Sequence, residues 1–204
     1  ISELYKHGFI SELNHYIMIS SFFVYNHFDY DFFSEKKLTE NFNLSNIEGY
    51  TKRKIQSEVK LYSSSLMDIS TILRLPFVFS SDDYSQRFQH LCELSSTEGE
   101  LFVESPFKYS LVRKDDAAEA IIKVFKSSPI GITDLSNVGY ITSKEILDTL
   151  RGVANQIKRS VNLEIGSFPY FVEKDICLNS QKMTIDMSIH DALKIEAENY
   201  WRSK

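Results

Sequence analysis

The order of apolar and polar positions divides the chain into alternating strand-like and helix-like stretches. Residues 15–20 form a short apolar run that reads as a buried strand. Residues 26–46 are rich in Asn, Asp, Ser and aromatics and predict a long loop, a kind of segment that in compact domains usually serves function. From 47 to about 67 the period becomes helical, with Ile55, Val59, Tyr62 and Leu66 spaced 4, 3, 4. Residues 69–78 (ISTILRLPFV) predict a second buried strand with Pro76 at its exit. A helix over 83–94 and short strands near 101–103 and 109–112 follow. An amphipathic helix over 115–125 is expected to turn Ala118, Ile121, Ile122 and Phe125 inward. The next, over 143–154, has Thr142 and Glu145 in capping-box spacing and Ile146, Leu147, Leu150 and Val153 inward. The last, over 188–201, should bury Ile189, Ala192, Leu193, Ala197, Tyr200 and Trp201. Strands alternating with helices in this way predict an α/β fold: a parallel, Rossmann-like sheet in front, with a small mixed α+β cap behind it.

Composition narrows the class. With 204 residues, 43% of them hydrophobic, the chain can bury a core of one domain or slightly more. A formal net charge of −5 gives no basic face for a phosphate backbone, so no nucleic-acid partner is expected. The longest uncharged apolar stretch, residues 16–26, is far short of the ~20 residues that span a bilayer, so neither membrane insertion nor a leader is expected. Cys92 and Cys177 stand far apart in no ligand-like spacing, which suits two reduced, packed thiols in a cytoplasmic protein. The five histidines form no i, i+4 pair, and no metal site is expected.

The candidate chemistry begins with Tyr50 and Lys54, one turn apart on the helix between the two buried strands. Spacing alone carries nothing, because Tyr140/Lys144, Tyr170/Lys174 and Tyr200/Lys204 repeat it. Position separates the pairs. Ser20 and Ser21 end the first strand, and in open α/β sheets ligands bind outside the carboxyl ends of the strands. An ammonium beside a phenol favours the phenolate, which lets a tyrosine exchange a proton with a substrate oxygen near neutral pH, while a serine hydroxyl holds that oxygen. Such machinery suits proton transfer coupled to hydride transfer with a nicotinamide.

Four blocks in order carry a resemblance: Ser20-Ser21-Phe22-Phe23-Val24-Tyr25; Tyr50, Lys54 and Glu58; Arg74-Leu75-Pro76-Phe77-Val78-Phe79; and Asp116-Ala117-Ala118-Glu119-Ala120-Ile121. Together they resemble the extended short-chain dehydrogenase/reductase family of nucleotide-sugar epimerases, dehydratases and reductases. The resemblance implies Ser21, Tyr50 and Lys54 as catalytic residues. It implies Ser20, Tyr50, Lys54, Pro76 and Val78 as contacts to NAD or NADP, and Ser21, Phe22 and Phe77 as contacts to a nucleotide-sugar-like molecule. It further implies that residues 1–82 are the back part of a dinucleotide-binding domain, and that residues 83–204 are mainly a substrate-binding cap with some elements returning to the sheet. A homodimer through the helix over 47–67 is expected too, with Val59, Tyr62 and Leu66 as contacts.

Departures accompany the resemblance. Asn26 and Ser80 replace glycines of the pattern, Phe77 stands where many epimerases have Asn, and Arg53 stands where Ser or Thr is frequent. The chain has seven glycines and no G-x-x-G-x-x-G cluster to face a pyrophosphate. The expectation is that the 204 residues alone bind NAD(P) poorly, being the back part of a longer protein or one without its cofactor half. The alternative reading is a non-catalytic relative of the family, a binding or assembly module.

Overall fold

A computed structural model describes residues 13–27, 44, 47–96, 106–157, 168–170, 172–179, 183 and 185–204. Its main sheet has three parallel strands, β1 (Tyr16–Ser21), β2 (Ser70–Leu75) and β6 (Gly131–Asp134), in the order β1-β2-β6. Tyr16 lies opposite Ser70 and Ser21 opposite Leu75, while Thr71 lies opposite Gly131 and Arg74 opposite Asp134. The central strand is buried at all six positions, as a parallel strand covered on both faces must be. Its alternation sorts the two sides. Ile72 joins Met18, Leu61, Leu66 and Ile132 beneath the first helix, whereas Leu73 and Leu75 join Ala117, Ala120, Val124 and Leu135 on the opposite face.

The first helix, α1 (Gly49–Tyr62), ends earlier than the expected 67. Ser63 and Ser64 return both backbone N–H and side-chain hydroxyl to the carbonyls of Val59 and Leu61, which closes the last turn. The chain continues as a 3-10 turn, Ser65–Ile69, before β2. The expected strand 69–78 is also two pieces. Pro76 has no N–H to give a ladder, so β3 (Phe77–Phe79) leaves the main sheet and pairs in parallel with β5 (Leu111–Arg113). Helix α2 (Arg87–Ser95) starts later than 83, because Asp83 accepts from Ser85 in a tight turn and Gln86 takes a left-handed φ of 58°.

Strand β4 (Lys108–Tyr109) pairs antiparallel with β7 (Ile141–Thr142), where a strand was expected near 109. The expected strand at 101–103 lies outside the described residues, as does most of the expected loop 26–46. Helix α3 (Lys114–Ser127) corrects the inward face: it buries Asp116, Ala117, Ala120 and Val124, while Ala118, Ile122 and Phe125 face out. Both stripes are apolar, and Asp116 decides between them. Its carboxylate accepts from Arg113 at 2.6 Å and from the Asn137 amide at 2.7 Å, both on the inner side.

The last two helices follow their pattern. α4 (Ser143–Ile157) carries the capping box: the Thr142 N–H donates to Glu145 at 2.7 Å, and the Glu145 N–H donates back to Thr142 Oγ1 at 3.2 Å. α5 (Ile189–Arg202) is capped by Ser188, whose Oγ accepts from the Asp191 N–H at 3.1 Å, and it buries all six expected side chains. β6 returns the chain to the main sheet beside β2.

Candidate functional site

β1 delivers Ser20 and Ser21 at its carboxyl end, and α1 starts with Tyr50 and Lys54 on its exposed side. The Lys54 ammonium donates to the carbonyl of Ile19 at 2.9 Å, which ties the first turn of α1 to the edge strand. It also sits 5.4 Å from the centroid of the Tyr50 ring. Tyr50 is 51% exposed at the start of α1. An open groove of about 440 Å³ runs along β1, lined by residues 16–19 and by Lys54, Ser57 and Lys60, with neither Tyr50 nor the strand-end serines in its lining.

Ser21 is 5% exposed, and its Oγ accepts from the Phe23 N–H at 3.3 Å, holding the 3-10 turn Phe22–His27 against the strand end. Among the described residues no hydrogen bond joins Ser21 to Tyr50. The structure brings Tyr50 and Lys54 together, and Ser21 accepts from the turn that follows its strand. Ser20 faces inward and donates to the Glu58 carboxylate.

The residues expected to meet a substrate form an aromatic hub. Phe77 touches Phe22 at 5.2 Å and Phe23 at 5.3 Å from the sheet side, and Tyr109 at 5.9 Å and Tyr170 at 5.1 Å from the cap side. Phe22 and Pro76 are buried, while Phe77 and Val78 are half-buried. Tyr109 exchanges a hydrogen bond with Ser143 at 3.0 Å, and burial pushes its phenol well above the ordinary range. The hub packs Tyr109 and Tyr170 against the turn that follows β1.

Site reasoning on the sequence missed the polar row beneath α1. Ser20, Arg74 and Asp134 stand side by side across β1, β2 and β6. Glu58, from α1, takes Arg74 Nε at 3.1 Å and Nη2 at 2.6 Å, and Tyr25 donates to both oxygens of Asp134 at 3.0 and 2.8 Å. The Arg74 guanidinium lies 4.6 Å from the Tyr25 ring centroid. Burial opposes the charge on Arg74, but the hydrogen bonds and charge of Glu58 outweigh it and hold its pKa above the usual value. Burial and the charge of Asp134 push the Tyr25 phenol far up as well. The signal was present: Arg74 is the only charge in the stretch 69–78.

Among the described residues no cluster of side chains has the makeup of a metal site, and no helix is long and apolar enough to cross a membrane. Cys92 and Cys177 are buried free thiols.

No protein-family model and no curated protein matches the sequence. Solved structures do. The chain is similar to dTDP-4-dehydrorhamnose reductase from Bacillus anthracis strain Ames in complex with NADP, with a TM-score of 0.65 and 18% identity over 91% of this chain and 65% of that one. It is similar to UDP-glucuronic acid 4-epimerase from Bacillus cereus in complex with NAD, with a TM-score of 0.61 and 16% identity over 94% and 62%. For dTDP-glucose 4,6-dehydratase from Bacillus anthracis in complex with NAD the values are 0.68 and 12%, over 93% and 62%. The fold is that of the extended short-chain dehydrogenase/reductases. This chain spans 62–65% of the length of these extended-family structures.

Proposed function

We propose that this chain is the proton-transferring part of an NAD(P)-dependent enzyme that acts on a nucleotide-activated sugar, as epimerase, dehydratase or reductase. The observation that supports it most is Lys54, bonded to the Ile19 carbonyl and one turn from an exposed Tyr50, on a fold shared with such enzymes.

The residues present fit one end of a dinucleotide. An ammonium has three donors, and Lys54 gives one to Ile19, leaving two for ribose hydroxyls at the groove. Pro76 and Val78 flank the strand end where the nicotinamide would lie. The pyrophosphate end is not matched, for the sequence has no glycine-rich turn to receive it. When bound, the nicotinamide supplies the hydride acceptor and donor. Tyr50 would then give or take the proton at the sugar oxygen, Lys54 would hold the ribose beside it, and Ser21, whose Oγ accepts from the Phe23 N–H and keeps its own O–H to donate, would align that oxygen. Phe22 and Phe77 shape the sugar side, and Ser20 braces α1 through Glu58. The two buried thiols suit a reducing compartment, and the cytoplasm is the proposed location.

A dimer through α1 would use the half-exposed Val59 and Tyr62. Ile55, Leu61 and Leu66 are buried within the chain, and Val59 and Tyr62 pack on its core. A second reading, a non-catalytic relative, is favoured by Asn26 and Ser80 standing where the family pattern has glycine. NMR of a panel of nucleotide sugars incubated with the protein and NADH or NADPH discriminates the two. Conversion of a UDP- or dTDP-sugar supports the enzyme, and binding without conversion supports the module.

A further inference from the structure

Glu58 lies one turn after Lys54 on α1, and the two side chains reach successive residues of β1. The Lys54 ammonium donates to the Ile19 carbonyl at 2.9 Å, and the Glu58 carboxylate accepts from Ser20, the neighbour of Ser21. α1 is therefore tied to the strand end at two points a turn apart. The inner tie is made of buried groups, Glu58 and Ser20 alike. Arg74, opposite Ser20 on the central strand, closes it by donating Nε to Glu58 Oε1 at 3.1 Å and Nη2 to Oε2 at 2.6 Å. Both oxygens of Glu58 thus face O–H or N–H donors. A carboxylate meets that demand, and an amide, one end of which is itself a donor, does not.

Two points of attachment fix a tilt that one leaves free. The apolar contacts of α1, Ile55 and Leu61 among them, are non-directional and give way to a small rotation. With the Glu58 tie released, α1 keeps its Lys54 tie, and Tyr50 stands one turn, about 6 Å, beyond that point. A tilt of about 10° there moves Tyr50 by about 1 Å. A misplacement of about 1 Å costs about a hundredfold in rate where geometry governs the reaction. We propose that Glu58 is a positioning residue for the proton transfer: its carboxylate sets Tyr50 and Lys54 on α1 against Ser21 on β1, through Ser20 and Arg74. This role rests on the reading of the chain as the proton-transferring part of an enzyme that acts on nucleotide-activated sugars. It goes beyond fastening the helix. The ion pair with Arg74 holds α1 to the central strand, whereas the bond from Ser20 couples α1 to the strand that carries Ser21.

The test takes two variants. Ser20→Ala removes the tie to β1 and keeps the Glu58–Arg74 pair, so it stays informative if the second variant does not fold. Glu58→Gln sets an amide nitrogen against an Arg74 donor. Backbone residual dipolar couplings of the whole protein read the tilt of α1 against β1, β2 and β6. The expected result is a turn of α1 by about 10° in both variants, with the couplings of the sheet unchanged. The kcat for a UDP- or dTDP-sugar with NADH or NADPH should fall about tenfold to a hundredfold, while KM stays within about twofold. Ser20→Thr, which keeps the donor, should recover both the tilt and the kcat. An unmoved α1 in Ser20→Ala overturns the proposal even if that variant melts lower, because the tie then adds stability alone. So does a tilted α1 with the kcat of the parent protein. A parent protein inert towards every sugar overturns the enzymatic reading itself. The tilt in Ser20→Ala, which is read without turnover, then upholds or overturns the positioning of α1 by Glu58 on its own.

Discussion

Glu58 and Arg74, one on α1 and the other on the central strand, form an ion pair at 2.6 Å with both side chains wholly shut off from water. The pair fastens the helix that bears Tyr50 and Lys54 to the sheet. Ser20 and the Tyr25–Asp134 couple extend it in both directions. A buried pair of this kind does not by itself add much stability, because desolvation costs about as much as the attraction returns, but losing one partner is expensive. Glu58→Leu should therefore destabilise the protein by about 3–5 kcal/mol in urea unfolding, and Glu58→Leu with Arg74→Met should recover most of that loss. An additive double mutant would show that the pair is not coupled.

The Lys54 contact to Ile19 makes a different prediction. The side chain lies at the surface, so Lys54→Met should cost less than about 1 kcal/mol of stability. Its effect should appear in function instead, as a fall in turnover and weaker nicotinamide nucleotide binding. A large stability loss with unchanged turnover would make Lys54 a brace only.

Asp116 gives a pH dependence. Burial pushes its pKa up, but the hydrogen bonds from Arg113 and Asn137 outweigh that, and the net value falls below the ordinary 3.8. A carboxylate with a lowered folded value binds fewer protons folded than unfolded. Its stability is thus present in full above 3.8 and is lost as pH falls through the folded value. Thermal melts of Asp116→Asn should show a shallower loss between about pH 5 and pH 2 than the parent protein shows.

At α4, Thr142→Ala removes the hydroxyl that accepts from the Glu145 N–H and should cost about 1 kcal/mol. Glu145→Ala removes the bond to the Thr142 N–H. The double variant should lose less than the sum of the two, since they share one cap.

How much the sequence disclosed depended on how local the cause was. The inner faces of α4 and α5 were legible because one helical period and one cap specify them. The face of α3 was not. The stripes ending in Phe125 and in Val124 are equally apolar, and the choice rests on Asp116 reaching Asn137, 21 residues away. The end of α1 was set by serines competing for carbonyls, and the break at Pro76 by a missing donor, both stronger than the hydrophobic pattern that overran them. In the site, Tyr50 and Lys54 were legible because one turn joins them. The polar row Ser20–Arg74–Asp134 needed strand register, which no periodicity supplies. The bond from the Phe23 N–H to the Ser21 oxygen, two residues apart, is a turn contact that the pattern of a strand end does not supply.

Turnover of a nucleotide sugar by Tyr50→Phe, in the protein as it occurs in its cell and with NADH or NADPH present, tests the central claim most directly. The phenol is half exposed, so the variant should keep its fold and melting temperature, while turnover should fall by about 10²–10⁴. Turnover equal to that of the parent protein would contradict the account.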